Sequence, residues 1–230
     1  LLAFFVGGLV VLVTTGKNPL DTYKAIFDGT GLNWLFPWVQ GEERDLAALN
    51  LQQTLIWTTT LILAGLAVAF AFRCGLFNIG GQGQYIAGMV TAAQVGVWLP
   101  DLPHVPHMVL AAGAGALAGA LWAGIAGILK ATVGAHEVIT TIMLNWIALW
   151  IGSYLVGFGG PLQDPAQEFV PVMKEVSQGA RLNVWWGDPT AQGLHIGFFV
   201  AIAALVVFWI VLNRTTLGYQ VRAVGFNPSA

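Results

Sequence analysis

Charge is what this sequence has least of. Only 9 % of its 230 residues are Asp, Glu, Lys or Arg, against about 25 % in an ordinary soluble domain. Nine Lys/Arg and eleven Asp/Glu cannot coat a 24.5 kDa globule with hydrated groups, which excludes a soluble fold. An apolar content of 57 % excludes disorder. A net charge of −2 and a pI near 6.0 exclude a basic nucleic-acid binder, so no nucleic-acid partner is expected. Cysteine is almost missing: Cys74 alone rules out a disulfide framework and any CxxC metal site. There is no GxxxxGK[ST], so the chain binds no nucleotide through a P-loop of its own. His104, His107, His136 and His195 have no HExxH or comparable spacing and read as interfacial or loop residues. No metal, no cofactor and no catalytic residue is expected. The long apolar runs hold no paired carboxylates or Lys/Asp relays, which weighs against a proton-coupled transporter.

What remains is long apolar runs. A membrane helix needs about 20 apolar residues to cross the hydrocarbon. The stretches 51–72, 108–129, 138–158 and 194–212 qualify. The stretch 79–99 is long enough but is interrupted by Gly80, Gly81, Gln82, Gly83 and Gln84. The run 1–13 begins without Met and reads as the second half of a span, so the sequence reads as a fragment cut at both ends. The predicted class is all-α, a polytopic integral membrane protein with about six transmembrane helices, one discontinuous. The whole of 1–230 reads as one membrane domain.

Basic residues orient the spans. If 1–13 leaves the cell, the inside loops 73–78, 130–137 and 213–230 carry Arg73, Lys130, Arg214 and Arg222, four in 32 positions. The outside loops 14–50, 100–107 and 159–193 carry five in 80, in the direction of the positive-inside rule. Ten of the eleven acids fall outside, Glu137 being the exception. Trp34, Trp38, Trp98, Trp185 and Trp186 border the outside loops and suit an aromatic belt. Behind Asn18-Pro19, a helix start, Leu20, Tyr23, Ile26 and Phe27 recur at helical spacing. That segment either lies flat on the outer interface or packs as a short solvated helix.

Four stretches carry chemistry or packing. In 74–85, glycines and carboxamides alternate at the inner end of a span. Asn78, Gln82 and Gln84 both donate and accept hydrogen bonds, so they either line a path for a polar solute or fasten helices together. Irregular backbone around Gly80, Gly81 and Gly83 is tolerated only inside protein or beside water. In 134–146, Glu137 opens a helix, where a carboxylate suits the dipole. Thr141 and Asn145 share a face at i, i+4 near mid-membrane, which reads as a solute contact or as an interhelical hydrogen bond. In 113–127, Gly115 and Gly119 form GxxxG, a helix-packing pattern. In 215–228, Tyr219 and Arg222 share a helix face before Gly225 and Asn227-Pro228 stop the helix. That segment suits docking to a soluble partner, or an ordinary surface loop.

Together these stretches resemble the membrane permease subunit of bacterial ABC importers of the branched-chain amino acid/ribose type, in its simple-sugar and nucleoside branch. The likeness is carried by Gly75-Leu76-Phe77-Asn78-Ile79-Gly80 with Gly83-Gln84, by Glu137-Val138-Ile139-Thr140-Thr141-Ile142-Met143-Leu144-Asn145, and by Thr216-Leu217-Gly218-Tyr219 through Ala230. Gly81-Gln82 stand where relatives commonly have an acidic residue before the Gly-Gln pair. The resemblance implies a multi-pass protein of the bacterial inner membrane. It implies a cytoplasmic ABC ATPase that binds the ATP, a second permease subunit, and an extracytoplasmic solute-binding lipoprotein. It makes 214–230 the ATPase-coupling segment, with Tyr219, Arg222, Gly225 and Asn227 facing the ATPase. It leaves Asn78, Gln82, Gln84, Thr141 and Asn145 as candidates for the solute path.

Overall fold

The runs of apolar residues become long helices because a buried-or-lipid-facing backbone must satisfy its own polar groups. The computed structural model describes residues 1–188 and 193–227. Among them are eight α-helices: α1 (Leu2–Thr15), α2 (Pro19–Gly29), α3 (Glu42–Arg73), α4 (Gly81–Trp98), α5 (His104–Val133), α6 (Glu137–Val156), α7 (Gly197–Arg214) and α8 (Thr216–Phe226). A two-stranded antiparallel ribbon pairs β1 (Val184–Trp186) with β2 (Leu194–His195). The all-α membrane class expected from composition stands.

The helices outrun the apolar stretches that announce them. Helix α3 begins nine residues before Leu51, and its first turn carries Glu42, Glu43 and Asp45, which complement the helix dipole. At 32 residues it is about 48 Å long, well beyond one hydrocarbon thickness. Four helices, α3, α5, α6 and α7, are long and apolar enough to cross a membrane, and α1 with α2 makes a fifth only if the bent pair counts as one span. The expected count of about six is therefore approximate. Helix α4 runs unbroken from Gly81 to Trp98. The predicted interruption lies before it, in residues 76–80, not within it. Only 6 % of the apolar stretch of α3 or of α5 is buried. So much apolar surface facing outward is stable against lipid or another apolar subunit, not against water.

The chain forms two compact units. The first comprises Leu1–Leu61 and Asn183–Ala201. In it, Gly16 stops α1 in a left-handed conformation (φ 67°), and the Asn18 side chain accepts the Leu20 N–H at 3.0 Å to start α2 behind Pro19. The two helices meet at 110°. The Tyr23 hydroxyl donates to the Phe4 carbonyl, and their rings stand edge to face at 5.6 Å. Trp34 packs on Trp186 at 5.1 Å with the Arg44 guanidinium over its ring, and Trp185 packs on Phe199. The Trp residues expected in a belt are thus partly a cluster of their own. His195 accepts the Gly197 N–H on Nδ1 at 3.1 Å, and burial pushes its pKa down, so it caps α7 as a neutral ring.

The second unit, Ile62–Leu182 with Ile202–Ala230, holds the residues singled out above. Its centre is the α4/α5 seam. Gly88 and Gly115 face each other so closely that a Cβ on either would sit 2.9 Å from the other's carbonyl oxygen, and Gly119 lies against the Gln84 carbonyl. Gly81, in contrast, has open space. His107 is fully buried on α5, with Nε2 3.2 Å from the Val95 carbonyl of α4, which the interfacial reading of the histidines did not foresee. Replacing Gly115 with valine is expected to destabilise the detergent-solubilised protein by about 1–3 kcal/mol, the usual effect of overpacking. Gly113, which has nothing within 4 Å, should accept alanine without loss. Equal melting temperatures for Gly115→Val and Gly113→Ala would refute the seam.

Candidate functional site

A helix that starts at a glycine leaves its first backbone N–H groups without intrahelical partners. Helix α4 starts after Gly80, and the missing partners come from elsewhere in the second unit. Asn78 Oδ1 accepts the Gly80 N–H at 2.9 Å and the Gln84 Nε2 at 3.1 Å. Asn145, on α6, accepts the Gly83 N–H on Oδ1 at 2.7 Å and donates from Nδ2 to the Ile79 carbonyl at 2.9 Å. One turn earlier on α6, the Thr141 hydroxyl accepts the Ile79 N–H at 3.3 Å and returns its own hydrogen to the Glu137 carbonyl at 2.8 Å. The i, i+4 pair therefore clamps the loop 76–80 and the start of α4. Gly83 is the contact point: a Cβ there would meet Trp122 Nε1, the Leu144 carbonyl and Asn145 Oδ1, all within 3.1 Å. Gly80 is similarly crowded by Asn78 and Thr141.

Beside this clamp lies a cavity of about 460 Å³. The end of α3, the loop 76–80, the start of α4, α5 and the start of α6 line it, and it opens to the outside. Of the residues predicted for a solute path, Asn78, Gln84 and Thr141 line it. Asn145 does not line it and is engaged with backbone, while the Gln82 side chain is exposed and makes no hydrogen bond among the described residues. Lys130 and Glu137 also line it, with Nζ and a carboxylate oxygen 2.8 Å apart. Reading the residues one stretch at a time missed this pair. Its only signal is two opposite charges seven positions apart around a helix-stopping Gly134, which adopts φ 65°. Cys74 completes the wall at the end of α3, and burial pushes its thiol pKa up, which suits a packed residue and not a nucleophile.

The predicted docking helix sits against the same end of the unit. Thr215 caps α8 by accepting the Gly218 N–H at 3.2 Å. At the other end, Gly225 lies so close to the Arg73 carbonyl that a Cβ would collide with it. The turn it meets is the stop of α3: Leu76 N–H bonds Ala71 O, Gly75 N–H bonds Phe72 O, and Gly75 is left-handed at φ 73°. Tyr219 is 69 % exposed. Arg222 is half-buried and donates from Nε to the Gly218 carbonyl at 3.3 Å. Asn227 ends α8, its N–H bonding the Ala223 carbonyl. Pro228, Ser229 and Ala230 lie outside the described residues. These contacts gather 73–80, 130–137 and 216–226 at one end of the second unit.

Spanning helices, a largely apolar cavity at their shared end that also holds Asn78, Gln84 and Thr141, and a short helix docked beside it mark a polytopic membrane protein. Residues 50–230 match the family described as the permease component of branched-chain amino acid transport systems, and the chain belongs to that family. It is 36 % identical to the guanosine ABC transporter permease protein NupP of Bacillus subtilis, over 97 % of this chain and 59 % of that protein. It is 32 % identical to the nucleoside ABC transporter permease protein NupB of Lactococcus lactis, over 98 % of this chain and 59 % of that one. It is 36 % identical to the glucose ABC transporter permease protein TsgB13 of Haloferax volcanii, over 100 % of this chain and 57 % of that one. The chain thus spans about three fifths of the length of the curated relatives it matches. No solved structure matches it.

Proposed function

We propose that this chain is part of a membrane-spanning permease subunit of an ABC importer that moves a small, uncharged polar solute, a nucleoside or a simple sugar, across a plasma membrane. A separate cytoplasmic ATPase binds the ATP, a second permease subunit completes the path, and an extracytoplasmic solute-binding lipoprotein delivers the solute. The observation that carries this reading is the cavity that collects Asn78, Gln84 and Thr141 beside the docking helix. Carboxamides and a hydroxyl match a solute that offers hydroxyls and ring nitrogens and carries no charge. The relatives named for guanosine, nucleosides and glucose support the same solute class.

The end of the unit that holds 73–80, 130–137 and 216–226 faces the cytoplasm in this reading, since Arg73, Lys130, Arg214 and Arg222 lie there. Tyr219 and Arg222 on α8 then meet the ATPase. ATP-driven rearrangement of the partner shifts α8 and rocks the helices that bound the cavity. A gradient-driven transporter is the rival: it predicts uptake that persists without any ATPase.

The test is uptake by the full-length transporter assembled with its partners. Gln84→Ala is expected to raise the half-saturating solute concentration about tenfold, the scale of one or two lost polar contacts. Gln82→Ala, at an exposed position, should leave uptake unchanged. Equal behaviour of the two variants would dismiss the cavity as the solute site, and uptake surviving an inactive ATPase would dismiss the importer.

A further inference from the structure

Among the residues that line the cavity, two are of opposite formal charge, Lys130 and Glu137, and they are paired with each other. Lys130 stands in the last turn of α5 and Glu137 in the first turn of α6. The link between them is six residues long, and the Gly134 and Ala135 N–H groups both turn back to the Leu129 carbonyl. That turn forces the two helix ends side by side and brings Nζ within 2.8 Å of the carboxylate. Glu137 is the more enclosed partner, its side chain 19 % exposed against 42 % for Lys130. The rest of the lining is apolar or carries neutral carboxamides and a hydroxyl.

From this arrangement we infer that the Lys130–Glu137 ion pair sets the charge selectivity of the cavity. The pair holds the net charge of the cavity at zero, so the cavity takes uncharged solutes and turns away anionic and cationic analogues. The inference rests on the reading of the cavity as the solute site. Its physical basis is that two opposite charges 2.8 Å apart cancel most of each other's field, so neither draws in a third charge. While Lys130 and Glu137 satisfy each other, neither is available to a charged solute, and a third charge gains no partner for the water it gives up. Removing one member frees the other. Glu137→Gln leaves a lone ammonium that attracts a phosphate, and Lys130→Gln leaves a lone carboxylate that repels it. Specificity of this kind works by rejecting the wrong partner.

A purely structural pair, stapling α5 to α6, would weaken the fold in both single variants and leave the preference among ligands alone. Binding of radiolabelled guanosine and glucose to the full-length transporter in lipid nanodiscs, without the solute-binding protein, separates these cases. The competitors are guanosine 5′-monophosphate and glucose 6-phosphate. The expected result is that the phosphorylated analogue competes about tenfold better against Glu137→Gln than against the wild type, and worse against Lys130→Gln. The charge-swapped variant, Lys130→Glu with Glu137→Lys, should return to the wild-type ratio. If the ratio of phosphorylated to parent ligand is the same in all four proteins, the ion pair has no part in selectivity and the inference is overturned while the cavity reading stands. If the wild type binds neither guanosine nor glucose, or if Gln84→Ala leaves binding unchanged, the cavity reading itself falls, and this inference with it.

Discussion

Replacing Asn145 with leucine is expected to lower uptake by the proposed full-length transporter more than tenfold and to lower its melting temperature in detergent. Two backbone groups lose their partners at once: the Gly83 N–H and the Ile79 carbonyl. Each orphaned polar group costs about 1–3 kcal/mol, so the expected loss of stability is about 2–6 kcal/mol. Side-chain hydrogen bonds between membrane helices often measure less, about 0.6 kcal/mol, because a freed side chain finds another partner. That escape is narrower here. The groups released are backbone and stand four residues apart, so they can pair with each other only if α4 winds back into the loop 76–80. Asn145→Gln keeps both groups on an arm one methylene longer, and its effect should fall between those of asparagine and leucine. A leucine variant that melts and transports like the wild type would remove the clamp from the account.

The second large effect belongs to Gly225. Valine there forces its Cβ onto the Arg73 carbonyl and crowds the Gly75 amide. Neither neighbour is a flexible side chain, so α8 must lift from the stop of α3. Overpacking of this kind costs about 1–3 kcal/mol. In the assembled transporter the ATPase should keep hydrolysing ATP while uptake falls more than tenfold, because α8 no longer bears on the turn that leads into the loop 76–80. Gln220→Ala, on the exposed side of α8, should leave the ratio of uptake to hydrolysis unaltered. A wild-type ratio in Gly225→Val would mean that force does not pass through this contact.

The spans were legible because apolar runs of 20 residues have few other fates. The positions of their ends were not, since charged turns such as Glu42–Asp45 continue a helix past the hydrocarbon. The sequence Gly80-Gly81-Gln82-Gly83-Gln84 has poor helix propensity, which suggested a broken span. The helix nevertheless starts at Gly81, because Asn145 of α6, 62 residues further on, accepts the Gly83 N–H that the local sequence leaves bare. The shared face of Thr141 and Asn145 was readable from spacing alone. That its partner would be backbone was not, for a backbone N–H has no signature in a sequence. GxxxG announced a close-packed face at Gly115, and its counterpart, Gly88, begins a small-residue repeat of its own, Gly88, Ala92 and Gly96, which was not singled out. The cavity was invisible because Gln84 and Lys130 line one space only after α4 has packed on α5.

The bare seam between α4 and α5 also limits how this sequence can drift. In most cores an enlarged residue is accommodated when its neighbour shrinks. Gly88 and Gly115 have already given up every side-chain atom, so neither can compensate for a change in the other. A substitution at either must be absorbed by moving one backbone away from the other, which would drag the start of α4 off Asn145. Divergence can therefore proceed freely on the lipid-facing turns of these helices, where Leu117 and Leu121 stand exposed, while two positions with nothing left to remove stay fixed.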